Sequence, residues 1–267
     1  MRSGLQTYVI VMMCLLALLL ACFIADNESG NSYSHHRTLR TLMRAMHTTF
    51  EKHNIPYIGV GGSLLGAVRH GDIIPWDDDI DVGILEPSVD RIIQTYADFA
   101  REDMYITTAP LTFIKSPTAD DISNSLGLLR LYSNKDKRAF IDIFVMIKIG
   151  PDDPIFDPQR PILREKYSVK TSMFKSHWWY MSEFNDRKNY TLGYLDGQPC
   201  TMTSTASPER YLSTAYNDYM VERKTHAHTY QFIKELPYFQ ALVYLLFAVM
   251  FIYSIVILIN YPAAAYM

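Results

Sequence analysis

The sequence has 267 residues, of which 49% are hydrophobic, and a formal net charge of −3 at neutral pH. This length suits one domain of ordinary size, and the absence of a basic excess argues against nucleic acid as a partner. Only three cysteines occur, and Cys14 and Cys22 lie in an apolar segment. The remaining Cys200 cannot by itself form a disulfide framework or a cysteine zinc site.

The first apolar segment, Tyr8 to Ala25, is about long enough to cross a bilayer. Arg2 precedes it and Asp26 follows it, a charge order that favours a cytosolic N-terminus. We therefore predict a membrane anchor over residues 1–25. A cleaved signal peptide is an alternative, and Leu19-Leu20-Ala21-Cys22 also resembles a bacterial lipidation box.

A second apolar segment, residues 238–260, contains no charged side chain. Few core helices are apolar on all sides over such a length, so this pattern predicts a C-terminal transmembrane helix. With both segments spanning, residues 26–237 would face the lumen of the Golgi or ER. The glycosylation sequon Asn189-Tyr190-Thr191 agrees with this placement.

A short polar stem is predicted over residues 26–36, in which His35 and His36 are expected to be solvated. The apolar residues that follow recur at helical spacing and predict a core-facing helix: Leu39, Leu42, Met43, Met46 and Phe50. Periodicity then predicts a strand at Tyr57–Val60, a helix at Pro87–Arg101, an irregular excursion at Ala109–Ser123, and strands at Leu126–Tyr132 and Phe140–Ile147.

After the predicted strand at Tyr57–Val60, the turn Gly61-Gly62-Ser63 joins this strand to a helix. Backbone N–H groups at such a junction can approach a phosphate. Two cations are candidates for further phosphate contact, Arg69 after the glycine helix and Arg130 on a later strand. An ion pair with a nearby aspartate is the alternative for Arg69.

Four carboxylates crowd into five residues ahead of an apolar strand: Asp77, Asp78, Asp79 and Asp81. Side chains at i and i+2 of a strand share a face, so Asp79 and Asp81 lie together while the apolar residues between and after them face the core. Carboxylates this close repel one another unless a cation lies among them. Oxygen ligands alone suit Mg²⁺ or Mn²⁺, so the pattern favours a metal site over a solvated acidic turn.

Asp142 is a lone acid within an apolar strand. A buried carboxylate is costly unless it is paired or bound to a metal. Asp142 is therefore a candidate metal ligand. A salt bridge to Arg130 or Arg138 is the alternative.

The stretch GGSLLGAVRHGDIIPWDDDIDVGI, residues 61–84, resembles the signature of the LicD family of phosphotransferases, and most closely its fukutin-related branch. The likeness extends roughly from Arg37 to His228. Tyr211-Leu212 and the segment 216–220 are similar to a late motif of the family, where a glycine is usual at the position of Asn217. Asparagine tolerates the left-handed backbone geometry, so this departure is mild.

The resemblance implies an α+β (mixed α/β) fold, a nucleotidyltransferase-like sheet with flanking helices, over residues 37–235, to which the two transmembrane helices are added. It implies that Asp79, Asp81 and Asp142 are the metal-binding and catalytic residues. Substrate contacts are implied for a second set: Gly61, Gly62, Ser63, Arg69 and Arg130.

The activity implied by the resemblance is metal-dependent transfer of a phospho-alcohol, of the ribitol phosphate or phosphocholine type, from a CDP-linked donor to a hydroxyl of a glycan or glycoprotein, with release of CMP. The fukutin-related branch carries a cysteine-bound zinc loop near Ala109–Ser123, where this chain has no cysteine, so no zinc is expected. The alternative function is a catalytically inactive, membrane-bound scaffold or partner for glycosylation enzymes.

Overall fold

A seven-stranded sheet forms the centre of the fold. The computed structural model describes residues 33–222, and its sheet contains β1 (Tyr57–Gly59), β2 (Ile80–Leu85), β3 (Met104–Ala109), β4 (Leu128–Ser133), β5 (Phe140–Lys148), β6 (Ile162–Glu165) and β7 (Trp178–Tyr180). The main path runs in the order β1-β2-β5-β4-β3, with β6 paired to β5 and β7 paired to β6. Strands β2 and β5 are parallel, and the other pairs are antiparallel.

Helices and one hairpin surround this sheet. The hairpin consists of β8 (Arg187–Leu195) and β9 (Gln198–Thr205). The α-helices within residues 33–222 are α1 (Tyr33–Lys52), α2 (Gly61–Arg69), α3 (Val89–Gln94), α4 (Tyr96–Arg101), α5 (Ala119–Asn124), α6 (Lys166–Thr171), α7 (Met181–Asn185) and α8 (Glu209–Tyr216). This arrangement confirms the prediction of a mixed α/β fold with a sheet and flanking helices.

Helix α1 packs on one face of the sheet. Its predicted core residues, from Leu39 to Phe50, are completely buried and join alternate residues of β2 and β5 in one apolar cluster. The helix begins at Tyr33, earlier than the apolar pattern indicates. His35 and His36 are consequently buried, so the interpretation of these two histidines as solvated was wrong.

The opposite face carries a second apolar cluster, which includes Phe144, Met146, Trp179 and Tyr211. Trp179 is fully buried within this cluster. Because side chains alternate along a strand, the residues of β2 and β5 that do not face α1 lie on this side. The predicted metal ligands belong to this second face.

Two local predictions differ from the structure. The expected helix at Pro87–Arg101 is interrupted at Thr95, whose side chain donates a hydrogen bond to the carbonyl oxygen of Ile92. The expected irregular excursion contains α5, which begins with a capping box in which Thr118 and Asp121 exchange hydrogen bonds. Strand β3, which precedes this helix, was not predicted.

The prediction of transmembrane helices at both ends requires correction. Within residues 33–222, no helix has both the length and the apolar character needed to cross a membrane. The two predicted spans, residues 1–25 and 238–260, lie outside the described residues. Over residues 33–222, the structure supports the sheet with its flanking helices.

Candidate metal centre

Three aspartates from two strands meet on the second face of the sheet. In the parallel pairing of β2 with β5, Asp81 lies directly opposite Asp142. Asp79 immediately precedes β2, and carboxylate oxygens of all three residues lie within 4.8 Å of one another. The structure thus brings together the three residues that the sequence analysis proposed as ligands, although they are up to 63 positions apart (142 − 79).

A second acidic group adjoins the first. Asp77, Asp78 and Asp79 also have carboxylate oxygens within 4.8 Å of one another, and Asp79 is common to both groups. Asp77 and Asp79 are each 8% exposed. The site therefore concentrates five carboxylates in a largely buried volume.

Without a cation, the surroundings of the site disfavour the ionised form of its own carboxyl groups. Burial raises the pKa of Asp79 well above its ordinary value, and Asp81, Asp77, Asp142 and Asp78 raise it further. Burial is also the main cause that raises the pKa of Asp81, and the negative charge of Asp142 is the second. Carboxylates that repel one another in a buried position are stabilised by a cation, and an all-oxygen donor set suits a hard divalent ion. The residues present therefore fit a divalent metal.

The glycine turn lies against these carboxylates. Gly61 begins α2 with a φ of +57°, and a Cβ atom at this position would lie 2.7 Å from Oδ2 of Asp81. A Cβ atom at Gly62 would lie 2.7 Å from Oδ2 of Asp77. Both contacts are closer than a real Cβ atom tolerates, so the acids can occupy these positions only because residues 61 and 62 have no side chain.

Ser63 contributes to the same junction. Its Oγ accepts a hydrogen bond of 2.7 Å from the backbone N–H of Asp81, and the side chain is buried. The first N–H groups of a helix have no partner within the helix, and its dipole favours an anion there. The predicted phosphate contacts of Gly61, Gly62 and Ser63 stay a prediction, but the structure places these residues directly beside the acids.

The two candidate arginines have different surroundings. Arg130 lies opposite Asp142 in the pairing of β4 with β5, and its Nε and Nη2 donate to the carboxylate at 2.6 and 3.3 Å. This is the salt bridge that the sequence analysis gave as the alternative. Arg69 instead donates to Nε2 of His70 and to the carbonyl oxygen of Tyr219. Phosphate binding by either arginine stays a prediction.

Sequence reasoning did not assign a role to Tyr211, although it noted the motif that contains it. The hydroxyl of this fully buried side chain accepts a 3.0 Å hydrogen bond from the backbone N–H of Gly61, and its ring stacks on Trp179 at 4.4 Å. Burial raises its pKa well above the ordinary value. In the same motif, Asn217 has a φ of +55°, which agrees with the glycine expected there.

Glu165 is a further acid that sequence reasoning missed. It ends β6, is 1% exposed, and accepts a hydrogen bond from the hydroxyl of Ser168. Its charge is one of the causes that raise the pKa of Asp81. The only local signal was an acid at the end of a short strand.

Comparisons with known proteins identify the family to which the central part of the chain is similar. The family model described as LicD/FKTN/FKRP, nucleotidyltransferase domain, matches residues 54–184. That segment contains all the predicted site residues, from the glycine turn to Asp142. Helices α1 and α8 lie outside it.

Individual relatives match over portions of different length. An uncharacterized protein of Rickettsia typhi is 52% identical over 177 residues, which cover 58% of this chain and 55% of that protein. Ribitol 5-phosphate transferase FKRP of Homo sapiens is 54% identical over 48 residues, which cover 18% of this chain and 10% of that protein. Lipopolysaccharide cholinephosphotransferase LicD of Haemophilus influenzae is 38% identical over 63 residues, 24% of each chain. The chain spans about half the length of the rickettsial relatives that it matches.

Proposed function

We propose, on the premise that this chain belongs to the LicD family, that it transfers a phospho-alcohol from a CDP-linked donor to a glycan hydroxyl and releases CMP. The observation that carries the proposal is the convergence of Asp79, Asp81 and Asp142. The names of two relatives, a ribitol 5-phosphate transferase and a cholinephosphotransferase, support a ribitol phosphate or choline phosphate as the transferred group.

Asp79, Asp81 and Asp142 would hold Mg²⁺ or Mn²⁺. When bound, such an ion supplies positive charge that neutralises a diphosphate and a leaving nucleotide phosphate. The N–H groups of Gly62 and Ser63 at the start of α2 would bind one donor phosphate, while the N–H of Gly61 donates to Tyr211. The positive charge of Arg130 lowers the pKa of Asp81 and so opposes some of the repulsion within the group.

Positioning and charge stabilisation would therefore account for most of the catalysis. The carboxylates, through a bound ion, and the helix N–H groups would contact the diphosphate, and the acceptor hydroxyl would attack from the side opposite the leaving CMP. In-line displacement at phosphorus requires that arrangement of attacking and leaving oxygens. Glycans or glycoproteins are the proposed acceptors.

The test is release of CMP by the full chain with Mn²⁺, a glycan acceptor, and either CDP-ribitol or CDP-choline. We expect release with at least one donor, and its loss in Asp79→Ala and Asp81→Ala. Asp90→Ala is the matched control, because Asp90 is an exposed aspartate on α3 with the same substitution chemistry. Equal release by all four proteins would reject the assignment of the site.

Calorimetry with CDP and Mg²⁺ separates this proposal from the non-catalytic alternative. A transferase binds both, whereas a scaffold or partner for glycosylation enzymes need bind neither. A chain that neither binds CDP nor releases CMP from any donor would favour the scaffold. The Golgi or ER location stays a prediction from the sequence.

A further inference from the structure

The start of α1 is attached to the acidic loop. Nε2 of His36 lies 2.9 Å from the carbonyl oxygen of Asp77, and Nε2 of His35 lies 2.8 Å from that of Asp78. A carbonyl oxygen only accepts hydrogen bonds, so each ring donates through Nε2–H. His35 and His36 are 4% and 8% exposed, and 43 and 41 positions separate them from their partners.

Arg40 extends this attachment to the other end of the loop. It lies one helical turn after His36 and therefore on the same side of α1. Its Nη2 donates to Oδ1 of Asp72 at 2.7 Å, and the same oxygen accepts the backbone N–H of Ile73. Helix α1 thus holds the segment between α2 and β2 at three points, residues 72, 77 and 78.

The acidic loop needs such support for a physical reason. Carboxylates within 4.8 Å of one another repel, and a loop without fixed backbone bonds relieves that repulsion by moving its side chains apart. The histidines bond the backbone oxygens of residues 77 and 78 and not their carboxylates. They can therefore fix the loop without competing for a metal.

We propose that His35 and His36 are positioning residues that hold the Asp77–Asp79 loop in its metal-binding conformation. The proposal rests on the proposed function, because it requires that the acids bind a divalent ion. Both histidines precede residue 54, where the match to the family model begins. The metal centre would accordingly depend on a helix outside the family segment.

The test measures binding of Mn²⁺ alone to the full chain, by electron paramagnetic resonance of the free ion. We expect His35→Phe and His36→Phe to weaken Mn²⁺ binding by about 10-fold or more, the usual effect of losing a residue that orients metal ligands. His36→Gln, which keeps a side-chain N–H donor, should restore much of the affinity.

His47→Phe is the matched control. His47 also lies on α1 and makes one hydrogen bond, of 2.8 Å, to the hydroxyl of Tyr57. Its loss should lower the thermal stability without changing the Mn²⁺ affinity of the folded protein. Circular dichroism establishes that each variant is folded before its affinity is compared.

Wild-type Mn²⁺ affinity in folded His35→Phe and His36→Phe would overturn the proposal. If a phenylalanine variant does not fold, the Mn²⁺ affinities of His36→Asn and His36→Gln are compared instead. The asparagine side chain is too short for its amide to reach the carbonyl oxygen of Asp77, whereas the glutamine amide can reach it. Equal affinities in these two variants would then overturn the proposal. A purely structural role predicts reduced CMP release at every Mn²⁺ concentration, whereas a positioning role predicts recovery at saturating Mn²⁺.

The two proposals fail in distinguishable ways. A wild-type chain that binds Mn²⁺ but releases no CMP from any donor would overturn the proposed function, while the role of the histidines is still decided by the variant affinities. A wild-type chain that binds no Mn²⁺ would overturn both.

Discussion

The two faces of the strand pair β2–β5 differ in chemistry at the positions next to the metal centre. On the face toward α1, Ile80 and Ile141 are adjacent and fully buried in an apolar cluster. One residue further along each strand, Asp81 and Asp142 are adjacent on the other face and belong to a group of carboxylates. Neighbouring residue pairs of the same two strands therefore make stabilising apolar contacts on one face and repel each other as acids on the other.

This difference suggests a division between stability and function. Each fully buried isoleucine contributes roughly 1.5–3 kcal/mol by removing apolar surface from water. Without a cation, the ionised acids lower the stability of the fold, because burial and mutual repulsion disfavour their charged form and raise the pKa of Asp79 and Asp81. Substitutions on the two faces should consequently change different properties.

The largest effect is expected from Asp81→Asn. Removal of one ligand charge should lower CMP release by about 1000-fold or more, because a bound metal supplies several kcal/mol of transition-state stabilisation. The melting temperature in EDTA should rise, since one repelling charge is gone while the backbone bond to Ser63 can remain. Kinetics and thermal melts in EDTA provide the measurement, and a lower melting temperature would contradict the proposed repulsion.

On the other face, Ile143→Ala should lower the free energy of unfolding by about 2–5 kcal/mol, because it leaves a cavity in the fully buried cluster. The Mn²⁺ affinity of the folded protein should not change. Urea denaturation and Mn²⁺ titration measure the two quantities. A large loss of affinity in the folded variant would show that the two faces are not independent.

Tyr211→Phe should have a smaller effect, confined to the face that carries the acids. It leaves the N–H of Gly61 without its hydroxyl partner, at a cost of about 1–3 kcal/mol. We expect the KM for the CDP-linked donor to rise, because this N–H group fixes the turn beside the acids. Tyr190→Phe is the control, since it removes a hydroxyl that bonds to the carbonyl oxygen of Thr205. An equal rise in KM in both variants would contradict a local role for Tyr211.

The smallest effect concerns pH. The pKa of Asp81 is raised in the folded, metal-free protein, so the stability linked to its proton is present below the unfolded pKa of about 3.9 and is lost as the pH rises through the folded value. In EDTA, the free energy of unfolding should thus fall as the pH rises above the unfolded pKa of about 3.9, and should fall less in Asp81→Asn. Urea denaturation across this range measures the difference between the two proteins, and equal slopes would contradict it.

The sequence predicted strands β1, β2, β4 and β5 and the acids on β2 and β5, because their signals are local. Alternation in β2 places Asp79 and Asp81 together, and the apolar surroundings of Asp142 distinguish it from a surface acid. The register that places Asp81 opposite Asp142 is a tertiary property of the parallel pairing, and only the family resemblance anticipated that these residues act together.

The residues that were missed depend on distant contacts. His35 and His36 lie in a polar segment, and nothing within that segment indicates a carbonyl 41 or 43 positions away. Tyr211 and Gly61 are 150 positions apart, and their hydrogen bond exists only because α8 packs beside α2. Glu165 is a single acid at the end of a strand, and in sequence it resembles an ordinary surface residue until its burial is known.

The three hydrogen bonds from α1 and α8 to the glycine turn and acidic loop have a practical consequence for protein production. A fragment trimmed to the matched segment, residues 54–184, would keep every carboxylate of the centre and lose His35, His36 and Tyr211. It would also expose the apolar face that Leu39 and Phe50 cover, which invites aggregation. Expression trials should therefore retain residues 33–222 as their minimum span.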